Sequence, residues 1–177
     1  MAKTKWAIDP THSHIEFTVR HMMFAKVKGG FNSFSADIEA DPEDLTDASV
    51  RFTIDASSVD TNNADRDAHL RSADFFDVEH HPNIVFVAKS FKKTGDNEYD
   101  VTGDLTIRGV TREETFKLTY NGSGKDPWGN MKAGFSAEGT VNRTHYGLTW
   151  NAVLEAGGVL VGDEIKVAME IEAVQQA

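Results

Sequence analysis

Residues 64–77 read Ala-Asp-Arg-Asp-Ala-His-Leu-Arg-Ser-Ala-Asp-Phe-Phe-Asp, and across Ala64 to Asp77 the chain's regular alternation of apolar and polar residues stops. Alternation with period two is the pattern of a half-buried strand. In this stretch the spacing predicts a helix instead. Asn62 or Asn63 can cap its start, and Asp65–His69 and Asp67–Arg71 are acid-first pairs four residues apart. Only about two turns fit, too few for a helix to hold in isolation. Packing must hold it, and Leu70, Phe75 and Phe76 are the apolar groups available. A short helical insert in a strand-rich chain predicts a cover over a barrel or a sandwich.

Working outward, the strands declare themselves by phase. Ile15, Phe17, Val19 and His21 share one face of a first strand, with His14, Glu16, Thr18 and Arg20 on the other. Between Val27 and Ile38 the apolar phase moves from odd to even numbers, which predicts a bulge or bend near Asn32-Ser33. Further alternations run through Val50–Ile54, Ile84–Ala88, Tyr99–Ile107, Phe116–Tyr120, Met131–Val141 and Ile165–Ile171. Trp150, Ala152 and Leu154 suggest one more strand, and Asn142–Leu148 a second helical turn. Asp41–Asp44, Gly95–Asn97, Gly109, the polar run Asn121–Asn130, Gly157-Gly158 and Gly162-Asp163 read as turns or loops. About eight strands result, in an antiparallel barrel or sandwich. Such a barrel is either plugged by its own side chains or holds one ligand. Small residues on the inward phases (Gly29, Ala36, Ala88, Gly103, Ala133, Ala137, Gly139 and Ala173) leave volume that large neighbours or a ligand must fill.

Composition narrows the function classes. The 177 residues carry no linker-like segment and read as one domain over residues 1–177. With 18 Lys+Arg against 28 Asp+Glu the formal charge is −10. That argues against nucleic acid as a partner and against electrostatic attachment to anionic membranes. No cysteine is present, which removes disulfides, thiol catalysis and thiolate metal sites. No apolar run follows Met1–Trp6, so neither a signal peptide nor a membrane span is expected, and with a native Met1 the cytoplasm is the expected location.

The segment Arg66-Asp67-x-His69-Leu70-x-Ser72-x-Asp74-Phe75-Phe76-Asp77, followed by His81-Pro82-x-Ile84-x-Phe86, resembles the signature of the YceI family. Asp9-x-x-His12-Ser13-x-Ile15-x-Phe17-x-Val19-x-His21, Val27-x-Gly29-x-Phe31, Val101-x-Gly103-x-Leu105-Thr106-Ile107-x-Gly109-x-Thr111 and Val161-Gly162-Asp163-Glu164-Ile165 extend the resemblance from Trp6 to Ile171. These are bacterial lipocalin-like proteins that bind polyisoprenoids and related long-chain lipids. The resemblance implies an eight-stranded antiparallel lipocalin-like barrel with a short helical insert. It also implies an interior tunnel for a polyisoprenoid, isoprenoid quinone or fatty-acid-type ligand, no cofactor, and a homodimer. Many members are exported, a pattern from which the N-terminal residues here depart.

The expected ligand-binding residues are Phe17, Val19, His21, Phe31, Arg66, Leu70, Phe75, Phe76, Phe86, Leu105, Phe135 and Ala137. His21 is chosen because an imidazole in phase with Ile15, Phe17 and Val19 needs a hydrogen-bond partner. Arg66 is chosen as the cation for an anionic head group, the alternative being a structural pair with Asp65, Asp67 or Asp74. No catalytic residue and no metal site are expected. His12-x-His14 shares a strand face and His80-His81 are adjacent, but no spacing brings in a third ligand. The acids lie on outward phases or in turns, and no Gly-x-Ser-x-Gly elbow is present. The competing readings are a metal-assisted enzyme using His12, His14 or His21, and a solid-core, stress-related interaction module.

Overall fold

The computed structural model describes residues 3–152 and 160–176. Eleven strands and one α-helix follow in order: β1 (Thr4–Ile8), β2 (His14–His21), β3 (Ala25–Phe31), β4 (Phe34–Asp41), β5 (Asp44–Asp55), β6 (Val59–Asp60), α1 (Ala64–Arg71), β7 (Asn83–Gly95), β8 (Glu98–Ile107), β9 (Val110–Lys125), β10 (Met131–Asn142) and β11 (Val161–Gln175). All pairings are antiparallel. The eleven strands make eight staves. One edge of β11 pairs with β10 along its length, and the other takes β2 and then β1. β1 and β2 are therefore one stave interrupted by residues 9–13. Likewise β3 and β4 form one stave broken at Asn32-Ser33, and β5 and β6 one broken at Ala56–Ser58. Pairing of β1 with β11 closes the sheet into an eight-stranded antiparallel lipocalin-like barrel.

The three breaks lie side by side, and the second and third are stitched together. Asp9 caps a 3₁₀ turn at Pro10–His12, and Asp55 caps another at Ala56–Ser58. The Asn32 N–H donates to the Ser58 carbonyl (3.2 Å), the Asp55 N–H to the Ser33 carbonyl (2.9 Å), and the Ser33 N–H to the Ser58 hydroxyl (3.0 Å). Proline at the first position of such a turn sacrifices no hydrogen bond. Above the breaks, β6 is too short to reach β7, and α1 follows it at this upper end.

α1 is capped by Asn63, whose side chain accepts from the Arg66 N–H (3.0 Å). At the lower end Trp6, Tyr120, Ala133 and Ala173 form one buried cluster, and Ala40, Leu45, Phe91, Tyr99 and Val101 another. The Trp6 indole donates to the Ala40 carbonyl (3.2 Å) and the Leu45 N–H donates to the Tyr99 hydroxyl (3.3 Å). The lower end is thus sealed by aromatic groups, with the polar tips of Trp6 and Tyr99 satisfied.

Several expectations give way to tertiary pairing. Asn121–Lys125 belongs to β9 rather than to a loop, because Met131–Gly134 of β10 pairs with it across a register shift. Gly162-Asp163 lies inside β11 at an irregularity opposite β2, not in a turn. Trp150 and Ala152 are in irregular structure, and Leu154 and Gly157-Gly158 lie outside the described residues, whereas the helical turn expected over Asn142–Leu148 is present as a 3₁₀ turn at Arg143–Tyr146 ended by Gly147 at φ 81°.

Candidate functional site

The barrel interior holds a cavity of about 300 Å³. Its lining runs from Ala40, Leu45 and Phe91 near the sealed end to Phe75, Phe76, Leu148 and Val161 near the helical end. Phe17, Val19, Phe31, Leu70, Phe86, Leu105, Phe135 and Ala137 are all part of it. The inward phases put them there: β10 places Ala137 opposite Leu118 of β9 and Met169 of β11, all three on the wall. The volume is at the low end of the roughly 300–1,000 Å³ found for ligand sites.

The small inward residues divide between two uses. A Cβ at Gly29 would meet the Phe17 ring at 2.6 Å and one at Gly103 the Phe86 ring at 2.7 Å, and at Gly139 it would collide with the Phe116 ring. Ala133 and Ala173 are closed over by Trp6 and Tyr120. Large neighbours therefore fill those spaces. Ala88 and Ala137 stay on the cavity wall.

His21 and Arg66 are not brought to the cavity. His21 still pairs with Val161 of β11 past the β11 irregularity, and with Ala25 at the closing step of the β2–β3 hairpin, but it is half-buried at the rim and not on the cavity wall. Arg66 is exposed and turned to its own segment, with Nε donating to Thr61 Oγ1 (2.8 Å) and Nη2 to the Thr61 carbonyl (2.7 Å). Its expected pairing with Asp65, Asp67 or Asp74 is replaced by this clamp. Asp67 is buried beneath it and accepts from the Thr61 N–H (2.9 Å) and hydroxyl, so not every acid lies outward.

The cover is an aromatic stack. His69 sits edge-on to Phe75 (5.0 Å between ring centres) and to Trp150 (4.7 Å), and its Nε2 meets Asp74 at 2.9 Å. Phe76 reaches across to Phe31 at 5.7 Å.

The polar members of the lining are the exposed Glu138 together with Arg143 and Tyr146, both buried. Arg143 donates to four main-chain carbonyls: Gly162 (2.8 Å), Leu148 (2.7 Å), Trp150 (2.9 Å) and Val161 (3.2 Å). Burial lowers its basicity, partly opposed by Asp163 at 3.7 Å. Tyr146 is fully buried and donates to Glu114. Burial first, and that bond second, push its phenol well above the usual range. Sequence reading singled out none of Glu138, Arg143, Tyr146 and Glu114. Glu114 had a signal, since it is in phase with Phe116 and Leu118 on β9.

His12 and His14 do not converge. His12 lies in the 3₁₀ turn at the first break, beside Asp9 (2.9 Å) and Glu172 (3.0 Å), whose ligand-type atoms with it fall within 4.8 Å of one another. Lys132 enters the same cluster, 3.1 Å from Asp9 and 3.7 Å from Glu172. None of the four residues lines the cavity. They brace the β1–β2 break from outside. Hydrogen bonds from His12, then Thr11, then Lys132 hold the Asp9 carboxyl well below the usual carboxylate range. A depressed carboxylate contributes stability above its unfolded value of about 3.9 and loses it as pH falls toward its folded value. Thermal melts of the wild type and Asp9→Asn are therefore expected to differ most near neutral pH and to converge below about pH 4. A gap independent of pH would remove Asp9 from that role.

The model of the YceI-like domain matches residues 6–173. The chain belongs to the YceI-like family. A UPF0312 protein of Staphylococcus epidermidis is 44% identical over 170 residues, covering 96% of each chain. The Campylobacter jejuni YceI protein superposes with a TM-score of 0.76 at 31% identity, over 89% of this YceI-like chain and 90% of that one. A polyisoprenoid-binding domain from Saccharophagus degradans, implicated in plant cell wall breakdown, shares the fold with a TM-score of 0.72 at 13% identity, over 98% and 99% of the two chains.

Proposed function

We propose that this YceI-like barrel carries or stores a single long apolar chain, of the polyisoprenoid, isoprenoid quinone or fatty-acid class, without chemical turnover. The observation that supports this most is the cavity itself: an almost wholly apolar interior running between the sealed aromatic end and the helical cover. The polyisoprenoid-binding domain of the same fold points the same way. Each buried methylene is worth about 0.8 kcal/mol. For a tail of roughly forty carbons the sum would pass the practical ceiling of about 20 kcal/mol, so cavity length rather than area sets the preference.

The mouth offers little to a head group. Arg143 is turned to carbonyls and Tyr146 to Glu114. The cavity therefore takes the hydrocarbon portion and leaves a polar head at the rim, so ligands are selected by chain length and width.

Organic extraction of the purified protein followed by mass spectrometry should recover a long-chain lipid in near-stoichiometric amount. Ala137→Trp inserts a large side chain between Leu118 and Met169. Overpacking costs about 1–3 kcal/mol, so the variant is expected to stay folded while losing at least about tenfold in lipid affinity, a difference of about 1.4 kcal/mol. A folded variant that binds as well as the wild type would remove the interior site.

A further inference from the structure

The β2–β3 hairpin projects from the helical end of the barrel. Beyond the short pairing of Gly30 and Phe31 with β6, the outer edge of β3 has no strand partner among the described residues. The hairpin closes on the pair His21 and Ala25, and its tip is Met22-Met23-Phe24. Phe24 is 83% exposed and Met23 52%. Met22 and Met23 both adopt left-handed backbone, at φ 58° and 66°. Glycine or asparagine would take those conformations freely, whereas bulky side chains do so at a cost.

Directly below the tip, the outer face is basic. Arg20 and Lys26 are cross-strand partners, and the next row aligns Lys28, Thr18 and Lys166. All four cations are exposed, and none makes an ion pair among the described residues. Arg20 also donates to the Met23 carbonyl (3.4 Å). The neighbouring acids by register are Glu16, opposite Gly30 and Ala168, Asp60 of β6, across Gly30 and bonded to Asn32, and Asp163 and Glu164 at the β11 irregularity, where Asp163 faces Arg143. Like charges placed directly opposite one another destabilise a strand pair. An exposed methionine in left-handed backbone beside an exposed phenylalanine, over repelling cations, is a combination that folding does not select. The geometry points to a membrane-docking surface: the Met22–Phe24 tip enters a bilayer while Arg20, Lys26, Lys28 and Lys166 meet anionic head groups.

Charge complementarity selects this occupant. A net charge of −10 argues against anionic membranes only if it acts as a whole. At physiological salt charges more than about 8 Å away are largely screened, so a local cluster of four cations governs the contact. Docking there sets the helical end of the barrel, with Phe75, Phe76 and Val161 on the cavity wall, toward the lipid phase. The surface goes beyond the cavity reading and does not depend on it, since a protein with nothing in its interior would still dock.

Vesicle flotation tests this with phosphatidylcholine alone and with one-third phosphatidylglycerol. The wild type is expected to float with the anionic vesicles at about 0.15 M salt, to stay behind with the neutral ones, and to be released as salt rises toward about 1 M. Lys26→Gln with Lys28→Gln should lower partitioning on the order of tenfold or more. Met23→Ser with Phe24→Ser, both exposed and so expected to leave the melting temperature unchanged, should lose it by a similar factor. Three results would overturn the proposal: no flotation of the wild type at about 0.15 M salt, flotation of the variants equal to wild type, or a concentration-dependent dimer that Phe24→Ser dissolves without any vesicle binding. The last would assign the tip to a second copy of the chain. None of these outcomes touches the lipid content of the cavity, which extraction measures separately.

Discussion

Arg143→Met is expected to be the most damaging single substitution in the barrel. The side chain is 4% exposed and holds the carbonyls of Leu148, Trp150, Val161 and Gly162 at 2.7–3.2 Å. Methionine keeps much of the volume and removes every donor. A buried acceptor left without a partner costs about 1–3 kcal/mol; the Val161 carbonyl keeps the Asn151 amide (2.7 Å) and some of the others will regain water, so a loss of roughly 3–5 kcal/mol is expected. For a chain of this length that lowers the melting temperature by about 2–4 °C per kcal/mol. Arg143→Lys keeps the charge but not the planar fork, and should fall between. Thermal melts monitored by near-UV circular dichroism also report on Trp150, whose segment Arg143 holds to the start of β11. A change within about 0.5 kcal/mol, the range of ordinary surface sites, would mean the carbonyls do not rely on the guanidinium.

Phe75→Ala should follow closely, at about 3–5 kcal/mol, the usual cost of truncating a buried phenylalanine. Phe75 is 5% exposed and touches both His69 and Trp150. Phe76 is only half-buried and reaches Phe31 across the cavity wall. In sequence the two phenylalanines are equivalent until their neighbours are known. The structure separates them. Phe76→Ala should cost less stability than Phe75→Ala but release bound lipid faster, since it opens the cover from within. Denaturant melts paired with lipid-release kinetics distinguish the two, and equal effects of both variants on both measurements would contradict this division.

Much of the fold was legible because strands facing a core keep period two along their length. Phe17 and Val19, Leu105, and Phe135 and Ala137 were placed by phase alone, and all of them line the cavity. The helix was legible for the opposite reason, a local break in that pattern with its own cap at Asn63. The two 3₁₀ interruptions were hidden, since three residues leave no periodicity to read. Asn121–Lys125 was misread because its glycines and polar groups suggest a loop, whereas β10 supplies the partners that make it a strand. Arg143 left no trace, since its value lies in four carbonyls brought together only by the folded segment. His21 was misjudged because phase says which side a residue faces and not how far the wall extends.

The seam of the barrel has a consequence for when the interior can exist. Trp6 pairs with Gln175, 169 positions away, and β11 is the shared neighbour of β10, β2 and β1. Contacts at such sequence separation form late and slowly. Until β11 is in place the apolar wall has no closed surface, and the same strand that completes one edge completes the other. Truncation before Val161 would therefore not yield a smaller barrel. It would leave an open, sticky sheet with two raw edges, and any apolar chain present when β11 docks is walled in by the same event that finishes folding.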